Sequence, residues 1–399
     1  MKGRKWLGWG VGCLLVLSVI TSACVGAAAV TPTPTKSPAS ATVAPTKAPA
    51  SATVVPTQPA AKPTAAATAT PAAPAAQASS PGKTTTVRFG SPGVESDSGV
   101  YIAMDKGYFK EVGLEVEIVK FQSGPMMIAP LSSGDLEVGG GVISPALLNA
   151  IDRGVALKMV GSKGASVKGF EFSRITIRKD LLDSGKVKDV KDVKGMKVAV
   201  PSVKSGAEAQ VEYFLHQGGL TISDVEVIQL AFPDMIAAYA NKAIDLAVQT
   251  EPTLNTAVQK GLAVRWAAGA MSAYYGTGEY QASTLVFSEP FSKNLDAARK
   301  FMVAYLKGVR DYNDAFAKGK NKDQVVSILT KYTPEKDPAL FDQMEMPYLS
   351  PDGKINVPSM TMDLDYFKKM GYYTGNLTMG SIIDTQFVDY AQQQLGPYK

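Results

Sequence analysis

The chain has 399 residues, with 41 lysines and arginines against 36 aspartates and glutamates, two cysteines and a single histidine. Three of the basic residues, Lys2, Arg4 and Lys5, lie in a segment expected to be removed; without them 38 basic residues face 36 acidic ones, a net +2 that does not mark a nucleic-acid-binding protein. Both cysteines, Cys13 and Cys24, precede residue 25, which excludes a disulfide framework or thiolate metal site in the remainder. The lone His216 excludes a His-cluster metal centre and any dyad needing a second histidine, so neither catalysis nor a cofactor is expected.

Along the chain, Met1 to Lys5 is basic, Trp6 to Ile20 apolar and Thr21-Ser22-Ala23 small, the three-part pattern of a secretory signal over residues 1–23. Cys24 follows directly, and the junction resembles the bacterial lipobox, in which that cysteine is acylated; Thr21 stands where the pattern usually has leucine. A lipid anchor would hold the protein on the outer face of the cell membrane. Residues 24–84 are almost wholly Ala, Thr, Pro and Ser, with near-repeats KSPASATVAPT and KAPASATVVPT. Such a stretch has too few large hydrophobes to offset ordering entropy and reads as a semi-extended leash.

From Thr86 the pattern changes. TVRFG alternates as a strand, a Ser/Gly/Pro turn leads to a helix from Val100 to Phe109, and Leu114 to Phe121 is a second strand. Helices are expected over 126–132 and 144–153, with strands over 136–139 and 155–161. The grammar then restarts after an extended crossing from Phe170 to Arg178, with strands at 196–201, 225–230 and 243–249 and helices at 205–218, 234–241 and 251–261. A second crossing runs from Gln281 to Ser288, and a helical tail from Phe291 to Lys399 is placed against the first unit. Strands alternating with helices of about ten residues mean parallel βαβ units. Two such units joined by two crossings predict an α/β protein with a hinge: lobe 1 from 85–172 plus 282–399, lobe 2 from 173–281.

Four blocks in order, YIAMDKGYFKEVGLEVEIVKFQSG, LSSGDLEVGGGVISPALLNA, VKDVKGMKVAVPSVKSGAE and DMIAAYANKAIDLAVQTEPT, resemble those of the nitrate/sulfonate/taurine and thiamine-precursor binding proteins of ABC importers. The resemblance implies the type II periplasmic binding protein fold, a ligand enclosed between lobes, and delivery to a permease driven by a separate ATPase, with the protein acting as a monomer. Fungal relatives of this fold synthesise the thiamine pyrimidine with an active-site histidine and a cysteine-rich motif that this chain lacks.

In open α/β sheets ligands sit beyond the carboxyl ends of the strands. That rule selects Ser96, Asp97, Tyr101, Phe121, Ser123, Gly124 and Ser144 from the first lobe, and Ser202, Ser205, Phe232, Gln249 and Glu251 from the second. The resemblance puts weight on Glu251, at the family's Glu-Pro step. Gly139-Gly140-Gly141 has no following Lys-Ser/Thr and is not a nucleotide loop. A carboxylate at 251 favours a ligand with N–H donors, and aromatics at loop-like positions (Phe121, Phe232, Tyr274, Tyr275, Tyr280, Tyr372, Tyr373) favour a planar one. With the lipoprotein leash this combination is similar to the riboflavin-binding lipoproteins of the superfamily, so riboflavin or a related vitamin is the expected solute. The alternatives are an aliphatic sulfonate or taurine, and a thiamine pyrimidine precursor.

Overall fold

Val87 and Phe89 are buried on alternate positions of β1 (Thr85–Ser91), which pairs in parallel with β2 (Leu114–Lys120) along its full length. The computed structural model describes residues 84–141 and 143–399; the expected signal segment, Cys24 and the leash lie outside them. Among the described residues no helix is long and apolar enough to cross a membrane.

β3 (Val138–Gly141) and β4 (Lys158–Val167) follow in the first lobe. The chain then crosses to β5 (Ser173–Arg178), β6 (Lys197–Val200), β7 (Glu226–Gln229), β8 (Leu246–Thr250) and β9 (Ala263–Val264), and returns through β10 (Glu279–Phe287). The two five-stranded sheets run β2-β1-β3-β10-β4 and β7-β6-β8-β5-β9. In each, one strand contributed by a crossing lies antiparallel to its neighbours, β10 between β3 and β4 and β5 between β8 and β9. This is the expected α/β architecture of two lobes joined by two segments.

The helix Leu295–Phe316 carries buried Phe301, Met302, Tyr305, Leu306, Val309 and Tyr312 at helical spacing and forms the spine of lobe 1. It crosses the helix Ser98–Asp105 at Gly308, where an added Cβ would lie 2.2 Å from the Gly99 carbonyl oxygen. Lobe 2 has its own core around Ile175, Ile177, Val198, Val211 and Phe214. A third cluster joins them: Met360, Leu364 and Phe367 of the helix Val357–Lys369 pack with Leu131, Leu147 and Met159 of lobe 1 and with Ala209 of lobe 2.

That helix differs from the expectation that the tail rests on lobe 1 alone. Tyr213 donates to the Met362 carbonyl at 2.7 Å, Tyr366 and Tyr372 donate to Glu208 at 2.9 and 2.7 Å, and Lys369 reaches Glu212 at 2.9 Å. The tail thus straps the lobe 2 helix Gly206–His216, on which Glu208, Glu212 and Tyr213 lie. The end of the helical tail is also interrupted, into Met379–Ile382 and Gln386–Leu395, because Ile383 takes extended backbone and bridges to Met159 at the free edge of β4.

Candidate functional site

A cleft lies between the lobes, with about 690 Å³ of space when its open mouth and the solvent there are included. Lobe 1 supplies the turn after β1 (Val94, Ser96), the loop Ser123–Pro125 after β2, Gly140 and Gly141 of β3, and Lys163 of β4. Lobe 2 supplies Ser173, the turn Pro201–Ser205, Gln210, Phe232 and Thr250, and the crossings contribute Phe172, Tyr280 and Ser283.

Each group is held from behind. Ser205 caps the helix Gly206–His216 by accepting from the Ala207 N–H at 3.2 Å, and its own hydroxyl donates to the Ser202 carbonyl at 2.6 Å. Lys204, between them, adopts left-handed backbone (φ 50°) while its N–H donates to Glu208 at 2.8 Å. Gln210 donates to Tyr280 at 2.8 Å and accepts from Ser173 at 2.7 Å, tying the lobe 2 helix to both crossings. Gln281, next to Tyr280, donates to Ser162 and the carbonyls of Gly164 and Ser283, fixing β10 against β4.

The floor of the cleft is an ion pair. Lys163, 1% exposed, binds Asp97, 0% exposed, and donates to Ser96 Oγ at 2.9 Å. Asp97 also accepts from Ser91 at 2.5 Å, and Tyr101 completes the group. Gly140 of β3 serves this pair, since a Cβ there would lie 2.4 Å from Lys163 Cε, whereas one at Gly139 would meet Leu131 at 2.7 Å. The Gly-rich strand therefore makes room for a buried lysine.

Of the residues selected from the sequence, Ser96, Ser123, Gly124, Ser202, Ser205 and Phe232 come together on the cleft. The others do not line it. Asp97 lies beneath, turned to Lys163; Tyr101 is buried and stacks on Tyr332 at 5.2 Å, and with Phe121 it lines a separate groove beside Lys331. Ser144 caps the helix Pro145–Asp152 through the Leu147 N–H. Gln249 is fully buried and accepts from Thr176 at 2.9 Å.

Glu251 is the largest correction. Its carboxylate is fully buried, bound by Arg265 at 2.6 Å and by the backbone N–H groups of Asn255 at 2.8 Å and Glu345 at 3.1 Å. Burial pushes this carboxyl up, against the pull of Arg265. Its hydrogen-bonding capacity is taken by the protein, and the tail supplies one of the donors. The aromatic expectation shrinks likewise. Tyr275 and Tyr373 are core residues, Tyr274 packs at the edge of the lobe 2 core, Tyr372 binds Glu208, and only Phe232 and Tyr280 of those seven reach the cleft.

Sequence reasoning missed Lys163 and Gln210. The local sequence SKGAS, a lone lysine amid small residues, suits a solvated loop as well as a buried pair. Ending the strand at Gly161 hid it in a supposed loop. Among the described residues no three His, Cys, Asp or Glu side chains cluster as metal ligands. His216 ends its helix beside Glu212, 3.1 Å away, and lines no part of the cleft.

Two α/β lobes with a cleft between them, joined by two crossings, are the arrangement of the periplasmic binding protein fold. The chain belongs to the NMT1/THI5-like family, whose model matches residues 96–315, more than half of its length. It is 25% identical over 264 residues to a Brucella abortus protein named as a binding protein, covering 64% of this chain and 76% of that one. It is 29% identical over 219 residues to a Bacillus subtilis protein named as binding aliphatic sulfonates, covering 54% and 62%. A Staphylococcus aureus ligand-binding component of an ABC-type import system, solved with zinc bound, shares the fold with a TM-score of 0.64 at 15% identity, over 77% of this chain and 99% of that one.

Proposed function

We propose that this protein captures a small amphiphilic oxyanion, of the alkanesulfonate class, in the cleft and presents it in a closed form to a transmembrane permease. The observation that carries the reading is the convergence on one cleft of Ser96 and Ser123 from lobe 1, Ser202, Ser205 and Thr250 from lobe 2, and the Lys163 ammonium beneath. Hydroxyls and the N-terminus of Gly206–His216 suit an anionic head. Val94, Phe172, Phe232, Val248 and Ala282 suit an apolar body.

A carboxylate at 251 facing the cleft would repel an anion, but that carboxylate is paired with Arg265 and does not line the cleft. The same withdrawal removes the acceptor that favoured a vitamin with N–H donors. The Bacillus subtilis relative, named for aliphatic sulfonates, points the same way. Three aromatic rings on the cleft, Phe172, Phe232 and Tyr280, support riboflavin as the second reading. Attachment through an acylated Cys24 and the leash completes the proposal, tested by fatty-acid labelling before and after Cys24→Ala.

A thermal-shift series separates the ligands. Straight-chain alkanesulfonates should raise the melting temperature in a concentration-dependent way while riboflavin does not. A shift with riboflavin and none with any sulfonate overturns the sulfonate reading.

A further inference from the structure

The turn Pro201–Ser205 brings Ser202 and Ser205 to the cleft, and it does so through left-handed backbone at Lys204, φ 50°. At a residue that carries a Cβ this conformation is disfavoured by roughly tenfold in population. Left unsupported, the turn would leave it. The support is Glu208, 4% exposed, in the first turn of the helix Gly206–His216. One of its carboxylate oxygens accepts from the Lys204 N–H at 2.8 Å; the other accepts from the hydroxyls of Tyr366 at 2.9 Å and Tyr372 at 2.7 Å. The Lys204 ammonium also lies 5.3 Å from the centre of the Tyr372 ring, a second tie between the same two segments. Both tyrosines come from the tail, Tyr366 on the helix Val357–Lys369 and Tyr372 just beyond it, and neither lines the cleft.

We propose that Glu208 is a positioning residue through which the tail sets the solute-binding turn. Tyr366 and Tyr372 hold the carboxylate where it fixes Lys204, and Lys204 in turn places the hydroxyls of Ser202 and Ser205. The coupling runs both ways: a solute on those two serines favours the ordered turn and so tightens the tail on Glu208. The inference rests on the cleft being the solute site, and it holds for any solute that uses the two serines.

Apparent affinity falls in proportion to the fraction of molecules whose turn is competent. Glu208→Ala should therefore weaken solute binding by up to about tenfold. Glu208→Gln should bind nearly as the parent does, because its carbonyl oxygen can accept from Lys204 while its amide donates to the phenol oxygens. Adding Lys204→Gly to Glu208→Ala should restore most of the affinity, since glycine takes positive φ at no steric cost. A loss caused by general destabilisation would not be repaired by a further glycine.

The test titrates butanesulfonate calorimetrically into the full chain in detergent and, without solute, follows amide hydrogen exchange over residues 201–206 against that of β1. Tyr366→Phe with Tyr372→Phe should weaken binding roughly 3- to 10-fold and speed exchange over 201–206 while β1 exchanges as before. Lys369→Met, which removes the tail's ion pair with Glu212 and leaves the turn alone, should do neither. Three results overturn the proposal: affinity unchanged in Glu208→Ala, no recovery on adding Lys204→Gly, or a loss in Lys369→Met equal to that of the paired phenylalanine variant. If Glu208→Ala fails to fold, the paired phenylalanine variant decides by the same two readings. If the parent binds no sulfonate, the sulfonate reading fails and exchange alone decides. Faster exchange over 201–206 in Glu208→Ala and in the paired variant then supports the positioning role, and exchange equal to the parent's refutes it.

Discussion

Replacing Lys163 by methionine leaves Asp97 buried without its cation while Ser91 and Tyr101 stay in place. With side chains 1% and 0% exposed, the pair falls in the class whose breaking costs about 3–5 kcal/mol. For a unit of roughly 320 residues the entropy of unfolding makes 1 kcal/mol worth about 1.5 °C in melting temperature, so the loss should be roughly 5–8 °C by calorimetry. Replacing both partners, Lys163→Met with Asp97→Leu, removes the stranded charge and should recover most of that loss, because an apolar pair of similar volume matches a buried ion pair. Solute affinity should not recover. A lost hydrogen bond from a charged group weakens binding by about 1.5–3 kcal/mol, roughly 10- to 100-fold. A single variant melting within about 1 °C of the parent would refute the burial argument, and unchanged affinity in the double variant would refute the place of Lys163 on the cleft floor.

Other outcomes follow from the same reasoning. Glu251→Ala strands Arg265, one-fifth exposed, and should cost about 2–3 kcal/mol in denaturant unfolding, while one-to-one solute binding persists; complete loss of binding with stability unchanged would return Glu251 to the site. Burial pushes the Asp363 carboxyl up to about 8, with Tyr275 donating to one oxygen at 2.8 Å and the other unpartnered. The folded state therefore holds a proton there that the unfolded chain releases from its ordinary value of 3.8 upward. This penalises the fold progressively as pH rises through that window, and Asp363→Asn should flatten the stability profile between pH 4 and 8. Gly308→Ala drives a methyl into the Gly99 carbonyl and should cost about 1–3 kcal/mol by overpacking; a neutral result would mean that the two helices cross less closely.

Periodicity made much of the fold legible. The alternation in TVRFG and LEVEIVKF located β1 and β2 to within a residue or two, and the 3.6-residue spacing of Phe301, Tyr305 and Tyr312 set the spine helix. The loop rule for parallel sheets located the serines of the cleft, because it depends only on strand direction. What stayed hidden depended on partners distant in the chain. Glu251 looks like a free acid until Arg265 turns back to it. Lys163 looks like a loop lysine until Asp97 is seen beneath it. The bridging role of Val357–Lys369 rests on Tyr366 meeting Glu208, residues 158 apart, which no local pattern specifies. Local capping hid others, since the sequence pattern of Ser144 suits a helix N-cap and a ligand contact equally.

The claim that a small solute is enclosed between the lobes is tested most directly by isothermal titration of ethane-, butane- and hexanesulfonate into the parent protein and into Ser283→Trp, which fills the cleft from the β10 crossing. The account predicts one-to-one binding to the parent with a negative heat-capacity change, and no binding to Ser283→Trp at undiminished thermal stability. Equal affinity for both proteins would place the solute somewhere other than this cleft and contradict the account.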